Sequence, residues 1–275
     1  MEQIRNFIKP QNITEFAIDS HAHLGELEDI EKIVENMQSD GLQNIINMCG
    51  SIQGAKIAQK LSKEHPNIYY MLGLHPYDIE QYNDEYINFI TNLAKTDDHM
   101  VGVGEIGLDY HGEHLPEDMQ KDIFKKQIIL ANKLNKPISI HIRDAHFDAI
   151  EILNNSKEFI KNSGIIHCFC GTADDVQKYL NLGFYISISG NITFKKKSET
   201  ETELERVVKL IPLDRLLIET DSPFLCPVPY RGTKNQPKYV IVTAQAIADL
   251  KHMDVNELIK ITRENAERLL IKKFK

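Results

Sequence analysis

Short β-rich apolar runs alternate with longer amphipathic ones along the whole chain. The β-rich runs fall at residues 17–24, 44–50, 68–76, 100–109, 137–142, 164–169, 184–191 and 216–223. Between them lie segments with helical spacing. In residues 117–134, for example, Phe124, Ile128, Ala131 and Leu134 form one apolar stripe. Further helices are expected over 28–40, 54–65, 84–95, 146–160, 173–182 and 201–211, with Gly41 and Gly183 placed to end the first and the sixth. Two more are expected after the eighth strand, over 237–251 and 255–270. Eight strands, each followed by a helix, in about 250 residues predict an α/β fold, the (β/α)8 TIM barrel, with extra C-terminal helices. An open doubly wound sheet would carry fewer strands and a Gly-rich phosphate turn after its first strand. The stretch GVGEIG at 102–107 lies inside a strand instead. No linker, repeat or low-complexity run interrupts the chain, so residues 1–275 read as one domain.

Polar residues break into these strands in a regular way. Strand one carries Asp19, His21 and His23, strand three His75, and strand four Glu105 and Asp109. Strand five carries His141 followed by Arg143, strand six His167, and strand eight Glu219 and Asp221. Taken singly, the pair in AIDSHAHL leaves chelation and a hydrogen-bonded structural pair equally open, although alternation along a strand points both rings the same way. Taken together the set says more, because parallel barrel strands bring their C-terminal ends to one mouth. Four imidazoles and two carboxylates converging there need a common partner, since an unpaired buried charge is costly, and a divalent cation is the simplest. His21, His23, Glu105, His141, His167 and Asp221 exceed the three protein ligands of a typical catalytic zinc. They suit two neighbouring metals sharing one carboxylate, for which Glu105 on the central strand four is placed. Such a pair lowers the pKa of a bridging water and holds both oxygens of an in-line displacement at phosphorus. The chemistry implied is metal-assisted hydrolysis, and no G-x-S-x-G nucleophile competes with it.

Composition narrows the setting. With 42% hydrophobic and 26% charged residues, the 275-residue chain reads as an ordinary globular protein. A net charge of −8 argues against coating nucleic acid non-specifically, but leaves room for a local basic rim. No apolar run reaches the roughly 20 residues of a membrane helix, and the start has no signal-peptide pattern, so a cytoplasmic location is expected. Cys49, Cys168, Cys170 and Cys226 read as small buried residues in a reducing compartment, with Cys168 and Cys170 on a strand.

The series DSHAHL, GLHPYD, GEIGLDYH, KPISIHIRDA, GIIHCFCG, GNITFKK and PLDRLLIETDSPFL closely resembles the TatD family of metal-dependent deoxyribonucleases in order and spacing. The likeness runs from residue 17 to the ENAERL near the C-terminus. It implies an amidohydrolase-like barrel acting on DNA, described for the family as 3′-to-5′ exonuclease activity linked to DNA repair and degradation, usually with magnesium. It assigns His21, His23 and Asp221 to one metal, His141 and His167 to the other, and Glu105 to the bridge. Four histidines suit zinc, nickel, cobalt or manganese better than magnesium. The expectation is therefore Mg2+ or Mn2+ in activity, with Zn2+, Ni2+ or Co2+ as bound species. Cys170 stands where the family often has serine, and Ile142 where a small residue often precedes the arginine.

Around that centre, Asp221 is either a ligand only or also the base for the attacking water, and Glu219 is placed to orient a ligand histidine. His75 matches a family active-site histidine and contacts the scissile phosphate or makes a structural hydrogen bond. Arg143 is positioned to hold a phosphate bidentately. Lys195, Lys196 and Lys197, with Arg231 and Lys234, make either a cationic rim or a solvated patch. Tyr77, Tyr110 and Phe194, on the same face, either stack on unpaired bases or pack into the core. The expected substrate is single-stranded DNA, and the protein is expected to be a monomer with no membrane partner. The alternative is a hydrolase of a small ester, lactone or amide. A metal-containing binding protein without turnover is the reading from a different class.

Overall fold

The computed structural model describes residues 7, 9–194 and 200–271. Its strands are β1 (Ala17–Ala22), β2 (Leu42–Cys49), β3 (Ile68–Leu72), β4 (Met100–Asp109), β5 (Ile138–Arg143), β6 (Gly164–Ile166), β7 (Tyr185–Ile188) and β8 (Leu216–Ile218). They form one parallel sheet in chain order from β1 to β8. The helices are α1 (Ile30–Asn36), α2 (Ile52–Glu64), α3 (Asp84–Thr96), α4 (Glu117–Lys133), α5 (His146–Asn155), α6 (Ala173–Asn181), α7 (Glu203–Leu210), α8 (Val240–Lys251) and α9 (Val255–Ala266). This is a nearly closed (β/α)8 barrel with helices following the eighth strand. Side-chain caps define several helix starts. Ser51, Asn83 and Asp254 accept from first-turn amides, and Thr172 and Thr202 form reciprocal boxes with Asp175 and Glu205.

Two apolar layers hold the barrel. The larger lies between strands and helices and takes in the α4 stripe, with Phe124, Ile128 and Ala131 buried and Leu134 packed against them. The smaller gathers Ile18, Ile46, Met48, Met71, Val101, Ile165, Tyr185 and Leu217 from every strand except β5, together with Leu269, Leu270 and Ile271. A cluster fed by so many strands occupies the space they enclose. The chain after α9, a wider turn over Glu267–Ile271, seals its N-terminal end. The barrel is therefore solid at one end and polar at the other.

Several strands are shorter than the apolar runs suggest. β3, β6 and β8 end at Leu72, Ile166 and Ile218, so His75, His167, Glu219 and Asp221 stand beyond the ladder. Polar side chains that turn toward the mouth leave the backbone free to bend there. α1 ends at Asn36, and Gly41 (φ +85°) closes a separate turn after it, whereas Gly183 (φ +87°) does follow α6. All four cysteines are free thiols, but only Cys49 and Cys226 are buried. Cys170 is exposed, and Cys168 lies beyond β6 in a left-handed conformation (φ +43°), which corrects the strand reading. Among the described residues no helix is long and apolar enough to cross a membrane.

Candidate metal centre

The barrel closes through the residues that carry its chemistry. β1 and the chain that follows β8 share one isolated bridge, Ala22 with Ser222. Around it the Asp221 amide donates to the His21 carbonyl (2.9 Å) and the His23 amide to the Ser222 carbonyl (2.8 Å). Below, buried Asp19 accepts from the Thr220 amide (2.9 Å) and the Thr220 hydroxyl (2.5 Å), so the first strand grips the turn that bears Asp221. Burial pushes the Asp19 carboxyl up to about 8, against the pull of the Thr220 and His21 donors. Asp221 itself adopts φ +57°. The two β1 histidines also converge by an irregular route. The ladder slips between Asp19 and Ala22, and His23 lies past the strand at φ −104°, ψ 76°. Their Nε2 atoms end 3.2 Å apart. The opposite side is regular between β5 and β6, and β4 slips against β5 only between Val103 and Ile106. Glu105 and Asp109 lie on β4, and Gly107 (φ +146°) lets that strand meet β5 beside His141, where a Cβ would fall 1.9 Å from the His141 carbonyl oxygen. A Cβ at Gly73 would likewise fall 2.6 Å from the backbone next to Glu105.

Glu105 stands between the two sides, with one oxygen turned to each. Oε2 is 3.5 Å from His21 Nε2 and 3.7 Å from His23 Nε2. Asp221 Oδ1 lies 3.7 and 3.4 Å from the same two nitrogens. A tetrahedral ion with bonds of about 2.1 Å separates its ligand atoms by about 3.4 Å, so these spacings fit a first-row divalent cation. The donor chemistry, imidazole nitrogens and carboxylate oxygens gathered at one point, fits as well. Oε1 faces His141 Nδ1 at 2.9 Å and His167 Nε2 at 2.6 Å, which are hydrogen-bond distances. The far nitrogen of His141 reaches Asp109 Oδ2 at 2.9 Å, the carboxylate–imidazole pairing that fixes a ligand ring.

The charges follow from this packing. Burial alone would raise the Glu105 carboxyl, but His167, His21 and His141 outweigh it and hold it well below the usual carboxylate range. Burial opposes charge on His167 too, yet Glu105 and then Glu219 lift it well above the ordinary imidazole value. His23 and His141 are raised by their carboxylates, whereas burial and the neighbouring His167 lower His21. Asp221 is lowered by His23, His21 and His167 against its burial. The centre is a compact set of ionised carboxylates and imidazoles, with ligand-type atoms in several overlapping groups: His21, His23 and Glu105; His21, His167 and Asp221; Glu105, His141 and His167; and His75, Asp109 and His141.

A family described as "TatD related DNase" matches residues 18–271. The chain belongs to the TatD family. Among its relatives, the "Uncharacterized metal-dependent hydrolase YabD" of Bacillus subtilis (strain 168) is 40% identical over 91% of this chain and 97% of its own length. The "3'-5' ssDNA/RNA exonuclease TatD" of Rahnella sp. (strain Y9602) is 31% identical over 86% and 90%. The crystal structure of YJJV, a TatD homolog from Escherichia coli K12, shares the fold with a TM-score of 0.85 at 24% identity, over 92% of this chain and 97% of that one. The protein is a TatD-family metal-dependent hydrolase.

The other residues expected of a TatD site divide. His75 sits over His141, its ring centroid 4.5 Å away, and burial pushes its pKa down to about 4. Its Nδ1 accepts the Tyr77 amide (3.2 Å), so the neutral ring carries its proton on Nε2. Glu219 is buried, but its close contact is the Cys168 amide, which donates to Oε1 at 2.6 Å; His167 Nδ1 is 3.5 Å away. It therefore steers His167 mainly through the backbone that follows it. Arg143 is exposed at the end of β5. Arg231 stacks on Phe194, 4.1 Å from the ring centre, and Lys234 pairs with Glu28. Tyr110 donates to Asp148 (2.9 Å). Lys195, Lys196 and Lys197 lie outside the described residues. The seam role of Asp19 and the bracing of His141 by Asp109 were not assigned from sequence. The period-two spacing of Asp19 with His21 and the shared strand of Glu105 and Asp109 were the signals available.

Proposed function

We propose that this hydrolase cleaves phosphodiester bonds in DNA, trimming single-stranded 3′ ends with two divalent cations held on either side of Glu105. The observation that carries the reading is the split carboxylate of Glu105, each oxygen facing its own pair of histidines. The Rahnella relative named as an exonuclease supports the choice of nucleic acid. His21, His23 and Asp221 would hold one cation, His141 and His167 the other, and Glu105 both. Bound there, Mg2+ or Mn2+ would lower the pKa of a water and bear on the oxygens around phosphorus. The chain's own groups do the rest. Asp221, ionised at neutral pH, accepts the proton of the attacking water. The neutral His75 offers an Nε2–H donor to a phosphate oxygen, and Arg143 neutralises charge at the rim. The reading carries with it a cytoplasmic monomer engaged in DNA degradation or repair.

Labelled single-stranded DNA with Mn2+ or Mg2+ tests this, comparing the wild type with Glu105→Ala. The wild type shortens the strand and the variant does not. A wild type inert on DNA that hydrolyses a small ester, lactone or amide would replace the nuclease reading with the alternative one.

A further inference from the structure

Three aromatic side chains among the described residues are exposed: Tyr77 at 46%, Phe147 at 81% and Phe224 at 49%. All three follow strand ends on the face that bears the metal centre, after β3, β5 and β8 respectively. Two of them end a continuous row of rings. Phe224 meets His23 edge to face (5.9 Å between centroids), His23 meets His21 (5.0 Å), and His21 stacks on His167 (3.8 Å). The row continues through His141 (5.5 Å) and His75 (4.5 Å) to Tyr77 (5.0 Å). Phe224 thus borders the His21–His23 side of Glu105, and Tyr77 the His141 side.

Each ring packs one edge on a histidine and keeps close to half its surface in solvent. The Tyr77 hydroxyl makes a long contact, 3.5 Å, with the His111 carbonyl and also faces the Asp109 carboxylate. The Phe224 backbone, in contrast, is firmly held. Its amide donates to the Asp221 carbonyl (2.8 Å), and its carbonyl accepts from the wholly buried Asn235 side chain (2.5 Å), which also donates to the Thr220 carbonyl (2.8 Å). A buried amide thus fixes an apolar ring in solvent beside a ligand histidine. The other loop aromatics are occupied: Phe194 is covered by Arg231, and the Tyr110 hydroxyl is bonded to Asp148.

We propose that Phe224 and Tyr77 are two base-stacking platforms, one on each side of the bond that is cut, each taking the flat face of an unpaired nucleobase. This rests on the nuclease reading above and deepens it. Bases in a duplex stack on one another and have no free face to offer, so the platforms select single strands.

The test uses the full chain with Mn2+ and a single-stranded oligonucleotide carrying an abasic tetrahydrofuran residue on the 5′ or the 3′ side of the scissile bond. Phe224→Leu and Tyr77→Leu should each raise KM on ordinary DNA about tenfold, with the loss in KM rather than kcat. Each variant should be indifferent to removal of one base only, and the two variants to opposite bases. Phe224→Trp should restore the wild-type KM, which a mere folding defect would not allow, and metal content should be unchanged throughout. Losses that add to those of the abasic substrates, both variants matching the same base, or wild-type KM in both would overturn the platforms while leaving the nuclease reading intact. A wild type that cleaves no DNA removes both.

Discussion

The two sides of Glu105 are built differently. The His21–His23–Asp221 side lies on the seam between the first strand and the residues after the last, where regular pairing has failed. The His141–His167 side rests on β5 and β6, which pair in register, and β4 slips against β5 only between Val103 and Ile106, beside the shared Glu105. Their spacings differ in the same sense. Seam donors stand 3.2–3.7 Å apart, the edges of a metal polyhedron, whereas His167 and His141 lie within hydrogen-bond distance of Glu105. A proton already satisfies the regular side. The seam side is left with spacings that a cation satisfies better. Under the two-cation proposal, one site is preset for metal and the other must first release protons.

Removing the group that both sides share should have the largest effect. Glu105→Ala is expected to lower kcat/KM on DNA by more than about a thousandfold and to reduce bound metal at both positions. Elemental analysis showing one metal retained at full occupancy would mean that the sides are independent of it. Asp221→Asn should come next, weakening metal on the seam side alone and costing on the order of a hundredfold in activity. Titration calorimetry should then show the tighter of two binding events lost. If the weaker event disappears instead, the contrast between the sides is inverted. Asp109→Asn, which frees His141 to rotate, should weaken the second event about 10- to 100-fold and leave the first unchanged.

Acidity cuts across the two sides, because His23 on the seam is raised as His141 and His167 are, and His21 is lowered. His167 and His141 have raised pKa values in the fold, so their contribution to the stability of metal-stripped protein is full below the unfolded value of 6.5. It is lost as pH rises through the folded values. Melting of the stripped protein should therefore fall on going from pH 6.5 upward, and Mn2+ should reverse the fall. His75 has the opposite sign. Its folded pKa of about 4 means that the unfolded chain binds the extra proton first, so its contribution is lost as pH drops from 6.5 toward 4. His75→Gln should flatten that acid limb, the smallest of these effects, and an unchanged limb would assign it to other groups.

The eight strands were legible in the sequence because apolar runs of the right length alternate with helical periods, and β4 has the bounds expected of it. The strand ends were less legible. Glu219 and Asp221 continue the β8 pattern in sequence, yet the chain leaves the ladder at Ile218. All six proposed ligands meet at one mouth as parallel strands require. The approach of His21 to His23 is due to a slipped register, which a count of alternating positions does not contain. Phe224 was missed for a related reason. It belongs to no periodic run, and only the buried Asn235, eleven residues later, reveals that its loop is held rigid. Arg231 and Lys234 looked like free rim charges, but Phe194 and Glu28 occupy them.

The pairing of Asp19 with Thr220 spans 201 positions of sequence, so it is among the last contacts a folding chain can make. A cation held by His21, His23 and Asp221 would join the two ends of the ring and act as its clasp. It would raise stability in proportion to the logarithm of free metal, and unfolding would begin where the clasp opens. Hydrogen exchange at the amides of His23 and Asp221 would then report metal occupancy directly, from inside the fold, without any substrate.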